Sequence, residues 1–233
     1  MMVNADLILN LAIMNNNAIP SEFKTILKMI GGILVAISFL SIASPVLAHH
    51  PSGGEIPSTF SAGFLSGLGH PVIGIDHLVF VIAIGLLAAL NNRWGTIVPL
   101  VFTVATAIGT GIHLQSINLP TPELIISASV IVMGIFLVKA NQTNLAILIA
   151  SSAIAGIFHG YAYGESIVGA QTTALGAYLL GFCGIQLAIS AAAFYLGKLI
   201  LNKAIIPPSL FYRIAGFAVC GIGLAFVSST VLN

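Results

Sequence analysis

Residues 70–90 read His70-Pro71-Val72-Ile73-Gly74-Ile75-Asp76-His77-Leu78-Val79-Phe80-Val81-Ile82-Ala83-Ile84-Gly85-Leu86-Leu87-Ala88-Ala89-Leu90. A helix needs about 20 mostly apolar residues to cross a bilayer, and this run is long enough. It nevertheless carries Asp76 and His77. An ionisable side chain at membrane depth costs roughly 2.5–3.5 kcal/mol on insertion scales, so such groups mark ion paths, partners or ligand sites. A carboxylate beside an imidazole, with a second imidazole two turns earlier, is also a metal-ligand set.

Composition gives the setting for this stretch. Of 233 residues, 58% are hydrophobic and 6% charged, with a mean hydropathy of +1.09. Soluble domains carry about 25% charged residues, so the chain reads as an all-α, polytopic membrane helix bundle with the lipid bilayer as its main partner. A formal net charge of +1 gives no basis for nucleic-acid binding. Cys183 and Cys220 both lie in apolar segments and form no CxxC or thiolate metal motif. They read as buried free thiols.

At the N-terminus, Lys24 and Lys28 precede an apolar run from Met29 to Ile42, and small residues lead up to Ala48. That order describes a secretory signal peptide over residues 1–48, cleaved after Ala48. The domain following it is 49–233, and it would begin outside the cytoplasm with His49 and His50. A free amine beside these two histidines is a transient metal ligand or simply the border of the cleavage site.

Six spans follow: 71–91, 96–114, 122–140, 144–162, 172–196 and 210–231. Residues 58–69 are apolar but short and Gly-rich, and read as an interfacial helix. His70-Pro71 is expected to supply the break, because proline suits the first turn of a new helix. Arg93, Lys139, Lys198, Lys203 and Arg213 fall in alternate loops or at their edges. The positive-inside rule then makes loops one, three and five cytoplasmic and both termini non-cytoplasmic. The signal peptide demands the same orientation.

On that map His70, Asp76 and His77 lie at the outer end of span one. His113 ends span two, Glu123 opens span three, His159 ends span four and Glu165 follows it. The six histidines, and the four of six acids that lie beyond Ala48, all fall in the outer half. This segregation predicts a cation-collecting vestibule facing the periplasm. In a regular helix His77 would lie about 10 Å deeper than His70, too far for one ion to meet both. His70 is then an entry ligand, with Asp76 and His77 forming a deeper site. His113 and His159 are the candidate partners from neighbouring helices. Thr106, Thr110 and His113 share one helical face and either line a polar path or bond back to helix carbonyls. Gln186 reads as an interhelical hydrogen bonder.

Each residue also has a plainer reading. His113 at a helix end suits an interface, Glu123 after Thr121-Pro122 suits a helix N-terminal dipole, and Asp76-His77 suits an ion pair locking two helices. If they bind metal, imidazole with carboxylate suits Ni²⁺, Co²⁺, Zn²⁺ or Fe²⁺. Only Met133 of the five methionines lies beyond Ala48, which argues against Cu(I). Mg²⁺ would favour carboxylates and water.

The pattern His70-Pro71-x-x-Gly74-x-Asp76-His77, with Gly85 beyond, resembles the signature of the HupE/UreJ family, as does the block Phe158-His159-Gly160-Tyr161-Ala162-Tyr163-Gly164-Glu165. In that block the family often carries a histidine where this chain has Tyr163, and a proline after the glutamate that is absent here. The resemblance implies a bacterial membrane protein of nickel uptake for hydrogenase or urease, with some members linked to cobalt. Carried over by position, the metal-handling residues are His70, Asp76, His77, His159 and Glu165; His113 and Glu123 rest on the topology.

The expected function is a secondary permease that carries a divalent transition metal inward through the inner membrane, Ni²⁺ first and Co²⁺ second. The metal is cargo, with no cofactor, no catalytic residue and no assigned oligomeric state. The chain has no Walker A motif for ATP. An intramembrane metalloenzyme is the rival from another class, but HExxH is absent; a metal sensor or assembly factor is the third reading.

Overall fold

A computed structural model describes residues 56–91, 93–203 and 207–232. The signal-peptide reading of residues 1–48, together with His49, His50 and Glu55, lies outside the described residues. Within them every regular element is an α-helix: α1 (Phe60–Ile73), α2 (Ile75–Leu90), α3 (Ile97–Leu114), α4 (Pro122–Val138), α5 (Leu145–Glu165), α6 (Thr172–Lys203) and α7 (Pro208–Leu232).

Local chemistry sets several of these boundaries. The Thr59 hydroxyl caps α1 by accepting from the Ala62 N–H at 3.2 Å. Pro122 opens α4, where its missing N–H costs nothing. Asn144 caps α5, its Oδ1 accepting from Ala146 N at 2.9 Å and Ile147 N at 3.4 Å. Glu123 stands exposed in the first turn of α4, where its charge favours the helix dipole.

The connections 91–96, 115–121, 139–144, 166–171 and 204–207 are all short. An extended chain covers at most about 3.6 Å per residue, so none can recross an apolar layer about 30 Å thick. Successive helices from α2 onward therefore alternate in direction, and the packing agrees. Along α3 and α5 the pairs Phe102–Gly156, Thr106–Gly160 and His113–Gly164 advance together, so these helices are parallel. Along α4 and α7 the pairs Val138–Gly216, Gly134–Cys220 and Ile131–Gly223 run in opposite senses. Gly160 permits the closest of these approaches, since a Cβ there would press into the Thr106 carbonyl.

The outward faces are apolar. On α3, Leu100, Val104 and Ile108 are each more than half exposed, while Phe102, Thr106 and Thr110 on the other side are buried. Exposed apolar surface on this scale belongs against lipid. Among the described residues, α3, α5, α6 and α7 are each long and apolar enough to cross a membrane. α1 and α2 pass that test only as a pair, bent by 78° at their junction, and α4 is apolar but only 17 residues long.

The bend corrects the expected start of the first span. The helix runs through His70-Pro71 and breaks at Gly74, which is extended (φ −72°, ψ 100°) and caps both α1 and α2. Pro71 lies inside α1, where it removes the backbone hydrogen bond to Gly67, yet the helix continues past it to Ile73. Residues 60–69 are helical, as expected, but their helix continues through Pro71 to Ile73. This helix, α1, packs in parallel on the first half of α6 (Gly63 on Ala174, Gly67 on Tyr178), while α2 packs on its second half (Gly85 on Ser190, Gly197 on Ala89). Together α1 and α2 run the length of the 32-residue α6 as one broken element.

The cysteines are free. The Cys220 thiol donates to the Ile131 carbonyl at 3.6 Å, a contact between α7 and α4.

Candidate metal-binding site at the helix break

The 78° bend brings together what a straight helix would separate. The His70 and His77 rings lie 5.8 Å apart between centroids, which replaces the expected separation of about 10 Å between an entry ligand and a deeper one. Gly74 makes room for this turn: a Cβ there would lie 2.5 Å from His77 Cδ2. His159 of α5 completes the group. Its Nδ1 stands 2.7 Å from His77 Nδ1, so one ring donates and the other accepts. His159 Nε2 shares a 3.1 Å hydrogen bond with the Ser129 hydroxyl of α4. The relative exposures of His70, His77 and His159 are 1%, 3% and 0%.

The depth of the group also differs from expectation. Ser129 is near the middle of α4, and Thr106, against which Gly160 packs, is near the middle of α3. His77 and His159 therefore lie at mid-length of the bundle, rather than at the outer end of span one and the end of span four. The reason is that α1 adds further helix on the side taken for a mouth, and α5 continues to Glu165.

His70 is held from the α5–α6 side. Its Nδ1 lies 3.0 Å from Ser166 Oγ and 3.2 Å from Tyr178 Oη, placed to donate to them, and those two oxygens stand 3.0 Å apart. Both also donate to the Tyr163 carbonyl. The Tyr163 ring packs against both His70 and His77, 4.8 and 4.7 Å from them. On the other side of the group, Phe80 packs 4.5 Å from the His159 ring and stacks on Phe102 at 4.8 Å. Both phenylalanines are fully buried and continue into the apolar core of Ile84, Leu87, Val98 and Leu148. The histidines are thus packed between a polar bracket of Ser166 and Tyr178 and an aromatic pair of Phe80 and Phe102.

The remaining expected residues stand apart. Asp76 is half-buried, and its Oδ1 accepts from the His77 N–H at 2.9 Å, satisfying a donor at the open start of α2. His113 packs on Tyr161 at 4.4 Å, and its buried Nδ1 has no partner. It lies seven residues from Thr106, about 10 Å along the helix. Glu123 and Glu165 are exposed at the same end of the bundle as His113. The threonine stripe follows the carbonyl-bonded reading: Thr106 donates to Thr103 O (2.7 Å), and Thr110 to Thr106 O (3.0 Å) and Gly160 O (2.8 Å). Gln186 Nε2 bonds Phe182 O at 3.1 Å and reaches Thr106 Oγ1 on α3 at 3.4 Å, as an interhelical bonder should.

Among the described residues no three His, Cys, Asp or Glu side chains form a ready-made metal cluster. The chemical capacity lies in the His77–His159 pair. Imidazole ligands sit about 2.0–2.1 Å from a first-row metal such as zinc. Two of them on one ion are then about 3.0–3.4 Å apart, depending on the coordination angle. For the 2.7 Å pair to share an ion, both rings would turn so that their Nδ1 lone pairs converge on it, and the proton now between them would move to the donor ring's Nε2.

Tyr163, Ser166, Tyr178, Phe80 and Phe102 were not singled out from the sequence as site residues. One signal was available for two of them: His159, Tyr163 and Ser166 recur at i, i+4 and i+7, one face of a helix. Phe80, three residues after His77, carries the same signal on α2.

Known proteins bear on this arrangement. A family profile described as "HupE / UreJ protein" matches residues 12–226, starting earlier than the 49–233 covered by the resemblance of the motifs. "Protein HupE" of Rhizobium leguminosarum bv. viciae is 29% identical over 197 residues, covering 83% of this chain and 96% of that protein. No solved structure matches the chain. The buried histidines at a broken membrane helix and the match over most of the sequence lead to one assignment: this chain belongs to the HupE/UreJ family of membrane proteins, a transporter family related to nickel and cobalt.

Proposed function

We propose that this protein is a secondary permease carrying a divalent transition metal, Ni²⁺ foremost and Co²⁺ as the alternative, from the periplasm into the cytoplasm. The observation that carries the reading is the convergence of His70, His77 and His159 at the break between α1 and α2. Discontinuous membrane helices commonly form transporter binding sites near the bilayer midplane. Buried ionisable groups there are expensive unless a substrate or partner uses them.

In this reading the bundle crosses the inner membrane six times, with α1 and α2 as one broken span and α4 as a short one. Arg93, Lys139, Lys198, Lys203 and Arg213 collect at one end, given the alternating helix directions. The positive-inside rule makes that end cytoplasmic. Asp76, His113, Glu123 and Glu165 then stand between the periplasm and the imidazoles or beside them, where negative charge concentrates cations. The membrane potential alone supplies about 2.3 kcal/mol per charge per 100 mV, hence about 4.6 kcal/mol for a dication.

Accumulation of radiolabelled Ni²⁺ by cells producing the protein tests this. Uptake above that of cells without it, competed by unlabelled Co²⁺ and lost in Asp76→Ala, is the expected result. No uptake of any divalent metal, with the protein present in the membrane, would overturn the reading.

A further inference from the structure

Ser129 stands where α4 meets His159, and its single hydroxyl proton is already committed. The oxygen lies 2.6 Å from the Ile126 carbonyl and 3.1 Å from His159 Nε2. A carbonyl oxygen only accepts, and two oxygens this close need a proton between them. The Ser129 proton therefore goes to the Ile126 carbonyl, and the Ser129 oxygen accepts from His159 Nε2–H. A serine bonded back to its own helix is common. Ser127, two residues earlier, does the same with the Glu123 carbonyl at 2.7 Å. Ser129 differs in that its accepting side meets a fully buried imidazole.

The assignment extends to the next ring. A neutral imidazole carries one N–H. With that proton on Nε2, His159 Nδ1 is a lone pair, and the proton in the 2.7 Å contact comes from His77 Nδ1. Protons on both nitrogens of His159 would place a charge against the Phe80 and Phe102 rings, 4.5 and 5.5 Å away. The hydrogen-bond partners of His159 among the described residues are a hydroxyl and an imidazole, and neither is an anion. A buried charge without a counter-ion is costly. The hydrogen bonds thus run in one direction: His77 to His159, His159 to Ser129, and Ser129 to the Ile126 carbonyl.

We propose, resting on the transport reading above, that Ser129 is a positioning residue: by accepting from Nε2 it keeps the Nδ1 lone pair of His159 turned toward His77, ready for a cation. Neutral imidazole is the metal-binding form. Ligating histidines ordinarily donate their second ring N–H to an outer partner, which fixes tautomer and orientation. As the cation enters, only the His77 proton then has to move. Without the serine oxygen, Nε2–H would be a buried donor lacking its acceptor, and the bond between the two rings would be free to run either way.

The test uses full-length protein in detergent, with histidine isotope-labelled at the ring nitrogens and read by NMR. Ring nitrogens with and without a proton give separate resonances, and His159→Ala identifies those of His159. In metal-free wild type, His159 is expected as a single species protonated at Nε2. Ser129→Ala is expected to populate both tautomers and to weaken equilibrium Ni²⁺ binding about tenfold, as removal of such outer partners does. Alanine favours a helix, so this variant is expected to insert. Ser129→Thr keeps the hydroxyl and should restore both readings. A serine needed only for packing would leave the tautomer unmoved. His159 protonated at Nδ1 in metal-free wild type overturns the inference and leaves the transport reading standing. So does a Ser129→Ala variant in which either the tautomer or the Ni²⁺ affinity is unchanged. Wild type that binds no Ni²⁺ overturns the transport reading, and with it the role given to the lone pair.

Discussion

His77 and His159 are 82 residues apart in the chain, yet their Nδ1 atoms lie 2.7 Å from each other in the middle of the bundle. Two features of the backbone make the meeting possible. Gly74 turns the chain through 78° just before His77, and Gly160 lets α5 lie against α3 with His159 on its inner face.

Gly74 is needed for the space it leaves rather than for an unusual dihedral angle. Its φ of −72° suits any residue, but a Cβ would meet His77 Cδ2 at 2.5 Å. Gly74→Ala should push the His77 ring aside and lower metal uptake about tenfold, while the protein still inserts and folds. Uptake assays alongside detergent size-exclusion profiles would check this.

Gly160 serves packing. Gly160→Ala places a methyl group against the Thr106 backbone. Overpacking of this kind typically costs about 1–3 kcal/mol. The thermal unfolding midpoint in detergent should fall, more than for Gly176→Ala, where nothing lies within 4 Å of the added Cβ.

The Phe80–Phe102 stack lies against the His159 ring and belongs to the apolar core. Hydrophobic constrictions block ions by excluding water. Phe80→Ala should therefore raise passive leak of divalent metal from preloaded liposomes severalfold. It should also destabilise the fold by about 3–5 kcal/mol through the cavity it leaves. Phe80→Leu should show a smaller leak and a smaller loss.

Sidedness follows from the distribution of charge. A reporter joined after Lys203 should read as cytoplasmic, and one within 115–120 as periplasmic. Accessibility labelling of single cysteines at the same places checks the assignment independently.

Much of this was legible in the sequence, for identifiable reasons. Apolar runs bounded by polar or Pro-containing turns fixed α3 to α7 within a few residues at most ends; α6 extends seven residues beyond expectation because Lys198 lies along its last turns, reaching the Asn91 carbonyl at 3.4 Å. The importance of His70, His77 and His159 was also legible, since ionisable groups stand out in an apolar chain. The bend was not. Pro71 carries the stronger local signal for a break and does cost α1 a backbone hydrogen bond, yet the chain turns at Gly74, whose role depends on a ring three residues onward. The residues packed around the histidines were hidden for a related reason: Tyr163, Tyr178, Phe80 and Phe102 look like ordinary apolar filling until the helices are assembled.

Whether His77 and His159 grip one ion together is the central claim. Equilibrium Ni²⁺ binding to purified protein, compared across wild type, His77→Ala, His159→Ala and the double variant, tests it most directly. The account predicts that each single substitution weakens binding by about 100-fold and that the double is scarcely worse, the strong non-additivity expected of residues acting as one unit. Additive losses, or singles that bind as wild type does, would contradict it.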